Sequence, residues 1–189
     1  MRRVVTWVGM LVVLVWIALT AWVEREAEYK LESQASAGRR ALVLYHPSRE
    51  ARFSDDLSMA VTAGLQSAGF SVDRATITER TAARPDGYQV VFVVSNTYNW
   101  APDWPTMQYL KRANFEGINV VGLIGGAGST GRSERILGEA LRGTGAKVLG
   151  TRSLWLWRPN DETRMEKPNR EVGLDIARRF AADVSQGVR

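Results

Sequence analysis

Residues 89–95 read Gln-Val-Val-Phe-Val-Val-Ser, a β-branched and aromatic run with no polar alternation. Such a run marks a strand buried on both faces, as in a parallel sheet covered by helices. Residues 41–45 (ALVLY) and 118–124 (INVVGLI) have the same character. Between these runs the period changes. Residues 55–68 place Leu57, Val61, Leu65 and Ala68 at helical spacing, and the pattern stops at Gly69. Residues 104–113 and 133–141 also read as helices. Residues 170–184 close the chain with an apolar face that includes Val172, Ile176, Phe180 and Val184. Residues 70–73 read as a short strand and residues 147–157 as a fifth, irregular one.

Five strands alternating with helices over residues 41–189 predict an α/β domain with βαβ units, right-handed crossovers and one doubly wound parallel sheet. In such sheets ligands bind outside the carboxyl ends of the strands, where the strand order reverses. Three loops therefore carry the functional reading: residues 45–54, 95–105 and 125–133.

The amino terminus is of another kind. Residues 4–23 (VVTWVGMLVVLVWIALTAWV) hold no charge over twenty positions. A helix of that length spans ~30 Å, the thickness of a bilayer's hydrocarbon core. Trp7 and Trp22 sit near its ends, and Arg2, Arg3 and Glu24 bracket it. A cleaved signal peptide has a shorter core and small residues before the cleavage point, whereas the nearest trio here begins with Leu19. The expectation is a retained single-pass anchor over residues 1–23. Residues 24–40 then read as a charged, solvated stalk. The Glu26–Lys30 pair could carry the helix a turn or two further, and residues 33–38 suit a flexible linker. Basic residues are nearly balanced on the two sides, so they do not decide the orientation.

Composition excludes several chemistries. The chain has 189 residues, no Cys and one His, which removes disulfides, thiolate metal ligation and a Cys nucleophile. The net charge of +5 is spread along the chain, not clustered, and gives no sign of a nucleic-acid partner.

Each loop has a chemical reading. In the first, Ser48, Arg49, Phe53 and Ser54 lie between a strand and a helix start, where hydroxyls, a guanidinium and backbone N–H groups suit a phosphate. Glu50, Asp55 and Asp56 stand against an anion there, and His46 is given no acid–base role. In the second, Thr97, Tyr98, Asn99 and Trp100 offer aromatic surface with hydrogen-bonding groups, which suits a planar heteroaromatic ring. In the third, Gly125, Gly126, Gly128 and Gly131 let the backbone approach such a ring. From Gly126 the third loop is one residue short of a phosphate-binding G-x-x-x-x-G-K-[ST] motif, Arg132 standing for the lysine. It also follows a late strand, so a nucleotide triphosphatase is not expected.

Together these loops resemble the flavodoxin-like family, including its NAD(P)H:quinone reductase branch. His46-Pro47 and Phe53-Ser54 resemble the strand end and helix start of that branch, and Ser95-Asn96-Thr97-Tyr98 resembles the ring-bordering Ser-Pro-x-Tyr stretch of flavodoxins. The glycine-containing T-x-T-G-x-T phosphate loop has no counterpart here. The resemblance implies five parallel strands in the order 2-1-3-4-5, FMN as cofactor, and electron transfer with no catalytic side chain and no metal. NAD(P)H or a redox protein, and a lipid quinone, are the expected partners. The supply of those cofactors would place the domain on the cytoplasmic side of the cell membrane. The alternative is a flavodoxin-like interaction or regulatory module without a cofactor.

Overall fold

The computed structural model describes residues 2–34, 38–49 and 52–188, without the side chains of Arg2, Arg3 and Val4. Glu50, the middle of the expected linker (residues 35–37) and the two flanking arginine side chains lie outside the described residues.

Helix α1 (Arg2–Val23) is followed by β1 (Leu31–Glu32), β2 (Arg40–Tyr45), α2 (Phe53–Ser67) and β3 (Ser71–Thr76). The chain continues through β4 (Val90–Tyr98), β5 (Ala101–Pro102), α3 (Trp104–Arg112) and β6 (Asn119–Gly126). It ends with α4 (Gly131–Gly143), β7 (Lys147–Trp155) and α5 (Asn169–Gln186). Five of the strands form the parallel sheet β3-β2-β4-β6-β7, which is the expected order 2-1-3-4-5 when those five are counted along the chain.

The continuous apolar runs explain the layering. Alternate residues of β2 and β4 feed two cores. Val43, Phe92 and Val94 pack with Phe53, Leu57, Leu65, Ala177 and Ala181 of α2 and α5. Leu44, Val91 and Val93 pack with Tyr109, Leu110, Leu137 and Leu141 of α3 and α4. Gly64 has a specific cause: a Cβ there would lie 2.1 Å from the Arg178 carbonyl oxygen, so glycine sets how closely α2 meets α5. The irregularity expected in the last strand is a register shift opposite Val120 and Val121, which pair with Val148 and Gly150 and leave Leu149 as the extra residue.

Three local expectations differ from the structure. Strand β3 runs to Thr76, past residue 73, because its polar residues Asp73 and Arg74 are paired across the sheet edge. Strand β4 runs to Tyr98 because β5 folds back on it, with Thr97 opposite Pro102 and Tyr98 opposite Ala101. The stalk is not a free spacer. Helix α1 ends at Val23, and the chain then runs along the domain: Thr76 exchanges backbone and hydroxyl hydrogen bonds with Glu28 and Lys30. Leu31 and Glu32 add an antiparallel edge strand to β3, and Arg74 grips Glu32. Ser33 Oγ and the Gln34 N–H both donate to Asp73.

Helix α1 is long and apolar enough to cross a bilayer, and its most apolar stretch is not buried against the rest of the chain. A signal sequence would have the same character.

A candidate site at the carboxyl edge of the sheet

One carboxylate organises the carboxyl edge. Asp103 precedes Trp104-Pro105 as the N-cap of α3 and accepts the Thr106 N–H at 2.9 Å, as an Asp with a proline in the first turn is suited to do. It also accepts the Ser95 hydroxyl at 2.7 Å and the Asn96 N–H at 2.6 Å. His46 Nδ1 lies 3.5 Å away, and both side chains are almost completely buried. His46 Nε2 is 3.2 Å from the Arg25 carbonyl oxygen, which only accepts, so that nitrogen carries the proton. The His46 carbonyl in turn accepts from Ser54 Oγ and Asn96 Nδ2. The ends of β2 and β4 are thus joined by a buried polar network with α3.

Above this network lies a crevice in two adjoining parts that share Thr97 and Ala127. The inner part, a cavity of about 70 Å³, reaches from Ser48 and Phe53 past residues 96–98 to Gly125 and Gly126. The outer part, about 230 Å³, lies between Thr97, Asn99 and Trp100 on one side and residues 127–130 on the other. Trp16 of α1 closes its remaining wall. Thr97 Oγ1 is buried here and meets no hydrogen-bond partner among the described residues, while the buried Tyr98 hydroxyl faces the Ser48 hydroxyl and the Arg49 backbone N–H. Burial pushes the Tyr98 hydroxyl above its ordinary pKa.

The lip of the crevice is strained. Asn99 and Trp100, the two-residue turn between β4 and β5, have φ of 49° and 60°. That is the conformation of a tight hairpin turn, where Asn and Gly are usual and a bulky aromatic is an outlier. The turn holds the Trp100 indole outward, 57% exposed. The opposite wall is tight. A Cβ on Gly126 would lie 2.6 Å from Thr130 Cγ2 and 3.2 Å from Thr97 Cβ. The Thr130 hydroxyl accepts from Trp155 Nε1 at 2.6 Å, which fixes the threonine in place.

The residues expected from sequence are distributed as follows. Ser48, Phe53, Thr97, Tyr98, Asn99, Trp100, Gly125, Gly126 and Gly128 all line the crevice. Arg49 lies beside it, in a polar cavity formed with residues 25–30, and its guanidinium stands 5.8 Å from the Trp22 ring centroid. Two residues stand apart. Ser54 is fully buried with its hydroxyl committed to His46, and Gly131 opens α4 with open space where a side chain would go. Gly125 is small because of Leu57 and Phe53 beneath it, so its reason is packing.

Asp103, Trp16 and Thr130 have no site role in the sequence reading, whereas Asp55 stands there against an anion. Asp103 carried a local signal in Asp-Trp-Pro, a helix start. Trp16 carried none, because the contact joins residues about eighty positions apart. The Asp55 carboxylate sits at the Ser48 N–H, with Oδ2 unpaired among the described residues; burial raises its pKa, opposed by Arg52. It therefore adds negative charge at the end of the crevice where a phosphate was expected. Among the described residues no cluster of His, Cys, Asp and Glu suits a metal ion.

No protein-family model matches the chain, and no curated protein matches it. Solved structures do. A flavodoxin from the domain Archaea superposes with a TM-score of 0.59 at 15% identity, covering 78% of this chain and 96% of its own. Flavodoxin 1 from Bacillus cereus, in its oxidised form, superposes with a TM-score of 0.58 at 12% identity, over 80% of this chain and all of its own. An azoreductase from Bacillus anthracis str. Sterne gives 0.58 at 11% identity, over 77% and 100%. With the strand order and crossovers described above, the chain has the flavodoxin-like α/β fold, preceded by one apolar amino-terminal helix.

Proposed function

We propose that this protein is a membrane-anchored flavoprotein that holds FMN in the carboxyl-edge crevice and transfers electrons. The observation that carries the reading is Thr97 Oγ1, buried and unpartnered among the described residues, beside the buried Tyr98 hydroxyl in a crevice edged by an outward-held indole. A buried hydroxyl without a partner costs about 1–3 kcal/mol, which a ring bearing nitrogen and carbonyl groups at its edge would offset. Tyr98 and Trp100 would border the ring, and residues 126–130 would supply the facing backbone. Ser48, Arg49 and Arg52, beside the amino end of α2, would hold the phosphate.

When bound, FMN supplies the electron chemistry. The protein's own part is to orient the ring, exclude water and set the charge around it, which needs no side-chain nucleophile or base. Helix α1 serves as the anchor. NAD(P)H or a redox protein is the proposed donor and a lipid quinone the proposed acceptor, with the domain on the cytoplasmic side. The similar structures include proteins named flavodoxin and azoreductase, which is consistent with redox work on this fold.

The test is the absorbance spectrum of the full-length protein purified in detergent, followed by titration with FMN and detection of flavin fluorescence. A flavin spectrum, or saturable uptake weakened at least about tenfold (~1.4 kcal/mol) by Thr97→Val with Trp100→Ala, is the expected result. A protein that neither carries nor takes up FMN refutes the reading. The Asp55 carboxylate favours the second reading, a cofactor-free interaction module, in that case.

A further inference from the structure

We infer that the carboxyl-edge rim of the sheet is a membrane-docking surface, seated in the headgroup layer of the bilayer that α1 enters. The inference rests on the anchoring reading above and is independent of the flavin. It begins with the tryptophans. Of seven in the chain, three lie in α1, and the other four are Trp100, Trp104, Trp155 and Trp157. All four follow or end the carboxyl ends of β4 and β7, and the loops at the opposite edge of the sheet hold none. Trp100, Trp104 and Trp157 are 57%, 62% and 76% exposed and come from two segments, residues 100–104 and the stretch after β7. An indole has a large apolar face and one polar N–H, which suits the boundary between acyl chains and headgroups better than water.

The second observation is where α1 meets the domain. Its last turns touch this same rim. Asn99 Nδ2 lies 3.4 Å from Thr20 Oγ1, and Glu24, just past the helix, accepts the Trp104 N–H. Trp16 walls the crevice, and it precedes the end of α1 by seven residues, ~10 Å along the helix axis. With the end of α1 emerging from the membrane, the rim that touches Thr20 and Glu24 lies at headgroup depth, and the crevice wall at Trp16 faces the acyl side of that layer.

Charge fits as well. Arg25, Arg49, Arg132 and Arg158 are exposed on this rim, where their stems can lie on apolar surface and their guanidinium groups meet lipid phosphates. Of the neighbouring acids, Glu24 is engaged by the Trp104 N–H and Glu26 by the Glu79 N–H, and Asp55 is opposed by Arg52. The committed occupant is therefore an anionic phospholipid bilayer. The consequence is that the outer crevice opens to the membrane, so a lipid-dissolved acceptor would reach it without crossing bulk water.

The chain has no Cys, so one substitution creates a unique labelling position. Full-length Trp104→Cys, Trp157→Cys and, at the opposite edge, Glu116→Cys would each be spin-labelled and reconstituted into vesicles of phosphatidylcholine and phosphatidylglycerol. Relaxation by oxygen, which concentrates in lipid, is compared with relaxation by a water-soluble nickel complex, with and without FMN. The expected result is an oxygen-to-nickel ratio severalfold higher at 104 and 157 than at 116, whether or not flavin binds. Equal ratios at all three positions overturn the proposal. Shielding from both agents at 104 and 157 overturns it in favour of a protein partner or a second copy. Failure of the chain to insert in vesicles also overturns it. Because these tryptophans are exposed, their replacement leaves the core intact, and the Glu116 variant controls for reconstitution.

Discussion

Asp103 accepts the Ser95 hydroxyl at 2.7 Å where β4 leaves the sheet, and both side chains are fully buried. The same carboxylate takes the Asn96 and Thr106 N–H groups. Its loss would leave three donors without their acceptor at the base of the crevice. Asp103→Ala is expected to destabilise the full-length protein by about 3–5 kcal/mol, and Asp103→Asn by less, since one acceptor oxygen remains. Urea unfolding in detergent, followed by circular dichroism, would measure both. Wild-type stability in Asp103→Ala would show that the network is incidental.

The tightness at Gly126 makes a paired prediction. Gly126→Ala puts a methyl group 2.6 Å from Thr130 Cγ2 and is expected to cost about 1–3 kcal/mol through overpacking. Thr130→Ser deletes that methyl and keeps the hydroxyl that accepts from Trp155. The double variant should therefore regain most of the loss. A double-mutant cycle from thermal melts checks this, and strict additivity would contradict it.

Asp55 tests the phosphate end of the crevice. Removing its charge should favour an anion beside Ser48 and Arg52. Asp55→Asn is expected to tighten FMN binding about tenfold, or ~1.4 kcal/mol, near neutral pH. Burial raises the carboxyl above its ordinary range, so it becomes neutral earlier as pH falls. The advantage of the variant should shrink as pH is lowered through that raised value. Fluorescence titrations at several pH values would measure the difference. An advantage independent of pH would place the repulsion elsewhere.

Asp73 couples acid to the docking of the juxtamembrane segment. Burial alone would raise its pKa, but hydrogen bonds from Tyr88, Ser33, Arg40 and the Gln34 N–H outweigh that and lower it. The same pairing, with burial first, pushes the Tyr88 hydroxyl up to about 12. A depressed carboxyl contributes stability that is present above its unfolded pKa of ~3.9 and is lost as pH falls through the lower folded value. Protection of residues 30–34 against hydrogen exchange, taken relative to the intrinsic rate at each pH, should therefore fall below about pH 4 in the wild type. Asp73→Asn should show fast exchange already at neutral pH. Unchanged protection in the variant would mean that β1 pairing alone holds the segment.

Much of the fold was legible because its causes are local in sequence. Continuous apolar runs at 41–45, 89–95 and 118–124 became β2, β4 and β6, since a strand covered on both faces has no polar side to show. Helix boundaries fell within a few residues of their punctuation by Gly69 and Asp103. The crevice was legible in outline because parallel sheets place ligand loops at their carboxyl ends. Ser54 and Gly131 read as site residues on neighbourhood alone. Which way a side chain turns depends on a partner far along the chain, and for Ser54 that partner is the His46 carbonyl.

The amino-acid sequence by itself determined the apolar helix, the α/β class, the strand order through the family likeness, and the three loops that meet at one edge. These follow from side-chain period and composition, which are properties of neighbouring residues. Tertiary structure decided what those loops do to one another. It placed Asp103 beneath the crevice, clipped residues 28–34 along β3, and put Trp16 across the opening. It also gathered four scattered tryptophans on one rim. The physical reason is that buried carboxylates, edge strands and exposed indoles are stabilised by partners distant in sequence, and only the folded chain brings those partners together.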